Sequence, residues 1–247
     1  MRFTLIFAGT IVGCTITIAA NRTVDNGRSL PAIVGSRSNS ISSTLSVPET
    51  GDTTGDSVVV KFHCIVDKHG KSKPPAIDAA TVNAEAFVQA VRRALAAGHF
   101  DPASVSGEPV VVEVSASVFF LFGGNRPVIK IFLNQEDEFL SSEKNLISPQ
   151  LIVGRSDYLT PLLWVEISRY RDDEAIIAYR VSTDGIAYDF KTVRQKPKSG
   201  RADTILINEL KHRRFIPAHI DGRPVEVKCE TVYSPSNKVM FSKIQLP

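Results

Sequence analysis

The 247-residue sequence is poor in the side chains from which chemistry is usually assembled: three Cys, two Met, one Trp and five His. His63, His69, His99, His212 and His219 are scattered, with no C-x-x-C, no H-E-x-x-H and no carboxylate at ligand spacing, so no metal centre is indicated. Neither Gly35-Ser36 nor Gly154-Arg155-Ser156 completes the G-x-S-x-G of a nucleophile elbow. The paired acids Asp137-Glu138 and Asp172-Asp173-Glu174 fall in predicted loops and read as solvated turns. No catalytic residue and no cofactor follows from this inventory. An excess of one charge is also lacking, since 29 Lys+Arg against 26 Asp+Glu leaves a net +3, and no nucleic-acid partner is predicted by field alone. The basic residues of Lys196-Pro197-Lys198 and Lys211-His212-Arg213-Arg214 read as a solvated face, with contact to a polyanion or envelope lipid as the sharper alternative. What is present, 43% apolar and 22% charged residues, excludes disorder throughout, collagen and a multi-span membrane protein.

Residues Phe3 to Ala20 form an uncharged, mostly apolar run behind Arg2 and end in small residues, the shape of a secretory signal cleaved near Ala20. Export to the periplasm or beyond is therefore expected. A retained inner-membrane anchor and lipidation at Cys14, within Ile11-Val12-Gly13-Cys14, are the competing readings. Residues 21 to 57 hold eight Ser, five Thr, four Gly and only two Pro, with no aromatic residue, which predicts a flexible tether.

From Val58 the pattern changes to strict alternation, with Val58, Val60, Phe62, Cys64 and Val66 on one face of a half-buried strand. A turn at Asp67-Lys68-His69-Gly70 and a second strand from Ala76 to Val82 follow. Asn83 is placed to cap a helix whose apolar side is Ala84, Phe87, Val88, Val91 and Leu95, with Gly98 as its stop. Phe100-Asp101-Pro102-Ala103 and Gly107-Glu108-Pro109-Val110 then lead into a long β-rich run. The same wording returns 115 positions on: Phe215-Ile216-Pro217-Ala218, Gly222-Arg223-Pro224-Val225, and Gly185 in the place of Gly70. Proline stops the helix, Ala103 and Ala218 let the chain turn closely, and Gly107 and Gly222 suit a turn, so the motif reads as a structural device. The expected organisation is a signal at 1–20, a tether at 21–57, a first domain at 58–133, a connector at 134–161 and a second domain at 162–247. Cys64 and Cys229 remain after export, and spacing leaves open a disulfide or two buried thiols.

At these residues the chain resembles the C-terminal domain family of the energy transducer TonB, through VVVKFHCIVDKHG and AIIAYRVSTDG, the amphipathic helix, F-x-P-A and G-x-P-V. The resemblance covers most of residues 58–120 and 174–233. It implies an α+β fold of two tandem TonB C-terminal-like domains, each a small antiparallel sheet with a packed helix. It further implies a non-catalytic periplasmic module that binds segments of outer-membrane receptors by adding them as strands beside the last strand of the sheet. Carried over, that edge is Val110, Val112 and Val114 in the first copy, and Val225, Val227 and Cys229 in the second. The following strands, Val128 to Leu133 and Val239 to Ile244, are expected to close a hairpin on each copy and so compete for the same edge. The chain departs from the family pattern in its removable-looking N-terminus, its proline-poor tether and its two copies. These departures favour a binding module over the alternatives, an anchored transducer or an envelope enzyme with a site between the copies.

Overall fold

The computed structural model describes residues 15–18, 29–35, 38–49, 57–135, 145–154, 174–197, 200–233 and 241–245. They form mostly antiparallel sheet with a few helices, an α+β arrangement in which strand predominates. The chain divides into two compact units, Met1–Ser148 with Ile220–Gly222, and Pro149–His219 with Arg223–Pro247. Among the described residues no helix is long and apolar enough to cross a membrane.

In the first unit β1 (Thr15–Ile18), β2 (Ser57–Val66), β3 (Ala76–Ala80), β4 (Val112–Leu121) and β5 (Val128–Phe132) lie in the order β3-β2-β4-β5-β1. β1 runs parallel to β5, with Thr15 opposite Val128, and the other pairings are antiparallel. Alternation puts Val60, Phe62, Cys64 and Val66 of β2, and Val112, Val114, Ala116 and Phe120 of β4, on one buried face. Helix α1 (Glu85–Ala97) buries Phe87, Val88, Val91 and Leu95, and the Phe87 ring meets Phe120 edge-on at 4.9 Å. Each such fully buried large side chain contributes about 1.5–3 kcal/mol.

The second unit repeats this plan with β6 (Glu174–Val181), β7 (Ala187–Lys196), α2 (Ala202–His212), β8 (Val227–Tyr233) and β9 (Phe241–Gln245), in the order β7-β6-β8-β9. Ladder registers repeat at the spacing of the sequence motif. Val66 faces Val112 and Cys64 faces Val114; 115 positions later, Val181 faces Val227 and Tyr179 faces Cys229. Gly70 and Gly185 take φ of +81° and +73°, and a Cβ there would stand 2.0 or 1.9 Å from the carbonyl oxygen of Phe100 or Phe215. The amides of Phe100 and Phe215 donate back to the carbonyls of Gly70 and Gly185 at 2.8 and 3.0 Å. The hairpin turn is thus clamped to the chain leaving the helix, and only glycine fits at that contact. Pro102 and Pro217 follow the clamp, and Ala103 and Ala218 beyond them are fully buried. The turns before Pro109 and Pro224 carry positive φ at both central residues, Ser106-Gly107 and Asp221-Gly222.

Several expectations are corrected. Residues 29–35 and 38–49 are not a loose tether: Ile33–Val34 pairs antiparallel with Phe100–Asp101, and Leu30 exchanges backbone hydrogen bonds with Ser104. Ala32, Ile33, Val34, Ile41 and Leu45 are buried, so a few clustered apolar residues outweigh the polar composition around them. Asn83 does not cap α1 but takes left-handed φ of 63°, with Ala84 at the cap position and no side-chain cap bond. Gly98 does follow the last helical residue, as expected of a stop, but it is extended and not left-handed and also serves close approach, since a Cβ there would lie 2.7 Å from Ile41 Cα. Part of the expected connector is ordered: Gln150 and Leu151 pair with Ile216 and Phe215. The start of the expected second domain, residues 162–173, lies outside the described residues.

Candidate functional site

The six residues that the resemblance assigns to a peptide edge sit where a partner strand has little access. Val112, Val114, Val227 and Cys229 are buried on the helix-facing side of their sheets, while Val110 and Val225 are half-buried at the strand entrances. β8 has neighbours along both edges, because β6 pairs with residues 227–233 and β9 pairs with residues 228–232. The closing strand of the second unit therefore occupies the ladder that the resemblance reserves for a ligand. In the first unit β5 takes up Ser117–Leu121 in the same way, downstream of Val112 and Val114.

Among the described residues the second sheet ends in β9 on one side and in β7 on the other, and β7 is a ten-residue strand paired only with β6. Its side chains are mostly exposed. Two register shifts, between Ile176 and Ile177 and between Ala178 and Arg180, bulge it near Val193 and near Asp189, which takes φ of 52°. Phe190 stacks on Tyr179 at 5.8 Å and ties the strand to the core. Thr192 Oγ1 donates to Asp203 Oδ2 of α2 at 2.9 Å. On the outer face Glu226 accepts from Arg180 and from the Tyr188 hydroxyl, each at 2.5 Å. The hydrogen bond to Glu226 holds the Tyr188 phenol above its ordinary pKa.

The corresponding edge of the first unit is built differently. β3 is only five residues long and enters after Pro74-Pro75, which can donate nothing to a ladder. It is fastened by a polar cluster that the sequence reading left out. His63 Nδ1 meets Asp78 Oδ1 at 2.7 Å, and Gln135 Nε2 donates to Asp78 Oδ2 at 2.7 Å and to the Phe62 carbonyl at 2.8 Å. Lys61 Nζ donates to the Gln135 carbonyl at 3.1 Å. The Asp78 side chain is 2% exposed and that of His63 24%. The hydrogen bond to Asp78 raises the pKa of His63; burial opposes it, and the charges of Asp78 and Glu113 add to the rise. The available signal was diagonal: His63 pairs with Ala76, which puts Asp78 two residues along the neighbouring strand.

The remaining candidates are quiet. Cys64 and Cys229 are buried free thiols, and burial pushes the Cys64 thiol up to about 12, far from a reactive thiolate. His219 Nδ1 bonds the Pro217 carbonyl at 2.9 Å. No group of three or more His, Cys, Asp or Glu suited to a metal occurs among the described residues. The six motif positions of each copy, Gly70, Phe100, Pro102, Ala103, Gly107 and Pro109, then Gly185, Phe215, Pro217, Ala218, Gly222 and Pro224, belong to the clamp and its turn and bring no polar side chains together. No protein-family model, no curated protein and no solved structure matches the chain.

Proposed function

We propose that this chain is an exported, non-catalytic peptide-binding protein built of two tandem TonB C-terminal-like domains. It takes an extended segment of an envelope protein onto the open edge of β7. The observation that carries this reading is the ten-residue β7 edge, paired on one side only and exposed along most of its length. Such an edge presents a row of main-chain donors and acceptors, and a partner strand gains affinity from them without any reaction taking place. The repeated register and the two glycine clamps support descent of both units from one binding fold. By resemblance, the partners are segments of outer-membrane receptors.

The test is photo-crosslinking in the native host, with a crosslinkable residue in place of Thr192 on β7 and, separately, of Lys228 on β8. Mass spectrometry then identifies the captured segment, and the mass of the mature N-terminus locates any processing. The expected result is capture of an extended segment of an envelope protein from position 192, little capture from 228, and a mature chain beginning near Asn21, from which β1 (Thr15–Ile18) has been removed. A chain that captures nothing at 192 while folding normally overturns the reading.

A further inference from the structure

The side chains that frame β7 carry a second message, about the chemistry of its partner. Three of the four large apolar side chains most exposed among the described residues, Ile186 at 44%, Tyr188 at 38% and Val193 at 55%, lie on β7 or in the turn just before it. Directly opposed residues in a ladder share a face. Tyr188 opposes Arg180, Lys191 opposes Ala178, Arg194 opposes Ile176 and Lys196 opposes Glu174, so these four β7 side chains stand on the outer face, away from α2. Gln195, Thr192 and Ala187 oppose the buried Ala175, Ile177 and Val181 and stand on the helix side. The outer face of the edge is therefore an aromatic ring followed by three cations.

Those cations are not committed to strong internal pairs. Lys191 reaches Asp189 only at 3.5 Å and Arg194 reaches Glu174 only at 3.6 Å, with exposed side chains in both pairs. Exposed pairs of this kind contribute little and rearrange readily. The strand itself carries three cations against one carboxylate.

We infer that the segment accepted by β7 is acidic, with carboxylates at alternate positions on its outer face and β-branched or other apolar residues between them. The inference rests on the strand-addition reading above. A strand alternates its side chains, so an added segment sets every second residue beside Lys191, Arg194 and Lys196 and the others toward Val193 and the helix side. Opposite charges across a ladder attract and like charges repel. A second copy of β7 fits poorly because it would set these cations against their own kind.

The experiment uses the full chain with Val193 replaced by a photo-crosslinking benzoyl-phenylalanine. Two labelled nine-residue peptides serve as probes, one alternating Glu with Val and Thr, the other carrying Lys in place of Glu. At low salt the Glu peptide should bind about tenfold more tightly by anisotropy and be captured at position 193, an effect of the size that a few exposed charge pairs supply. Lys191→Glu with Lys196→Glu should reverse that preference, and added salt should shrink it. Equal binding and capture of both peptides overturns the acidic partner and leaves strand addition standing. If neither peptide is captured and thermal unfolding is unchanged, strand addition on β7 falls as well. A crosslinked dimer joined through position 193 assigns the edge to a second copy and overturns the inference.

Discussion

β3 and β7 occupy matching places in the sheets of the two units and have opposite characters. β3 of the first unit is short, preceded by two prolines and bolted down by Asp78, whereas β7 of the second is twice as long and bare. Position by position the difference is plain: 115 residues after His63 and Asp78 stand Ala178 and Val193, so the second copy has methyl groups where the first has a buried polar cluster. An edge strand is either protected or used. β3 is the protected one, and its difference from β7 lies in a handful of side chains, because the backbone registers agree.

The largest test of this comparison removes what both units share. Gly70→Ala and Gly185→Ala each drive a methyl group into a backbone carbonyl at a positive φ, and each should cost its unit about 3–5 kcal/mol. Two similar losses in denaturant unfolding keep the clamps equivalent; a harmless substitution at either site would break the parallel. Next comes the latch. Asp78→Ala strands His63 and Gln135 together and should cost the first unit about 2–3 kcal/mol, with faster amide exchange along β3. Val193→Ala, at the matching but exposed site, should stay within about 0.5 kcal/mol.

The pH dependence sharpens the same contrast. The folded pKa of His63 lies above the ordinary 6.5, so protonated His63 stabilises the fold. That contribution is complete below pH 6.5 and disappears as pH rises through the folded value. The urea midpoint of the first unit should therefore fall across that window, and Asp78→Asn should flatten the slope. A midpoint indifferent to pH from 5 to 9 would mean that the imidazole is not charged in the cluster. The smallest effect belongs to β7. Arg194→Gln gives up only the loose contact with Glu174 and should change stability by less than about 0.5 kcal/mol, consistent with charge placed there for recognition.

Much of the fold was legible in the sequence. Alternation from Val58 to Val66 marked the first central strand, and the shared Phe-x-Pro-Ala and Gly-x-Pro-Val marked the offset at which the second strand and its registers repeat. The ordering of residues 29–35 and 38–49 was hidden because composition averages over a window in which Ala32, Ile33, Val34, Ile41 and Leu45 find buried places. Gly98 was read as a helix stop, although what requires glycine there is the approach of Ile41, a contact invisible in linear spacing. The candidate edges were harder still. That β8 has no free side depends on where β9 lies, and a carboxylate on a weakly patterned strand such as β3 becomes meaningful only once His63 and Gln135 converge on it.

The clamp between a turn glycine and the residue leaving the helix also bears on how the chain reaches this state. Gly70 to Phe100 and Gly185 to Phe215 each close a loop of thirty residues that contains one strand and one helix. Closing a ring of that length costs only modest chain entropy, and most of what it needs is local. Each ring can therefore form as a folding step of its own, and on the ribosome the first can close before the second has been synthesised. Two such rings in one polypeptide can close separately, and a change at the edge of one unit leaves the other free to form.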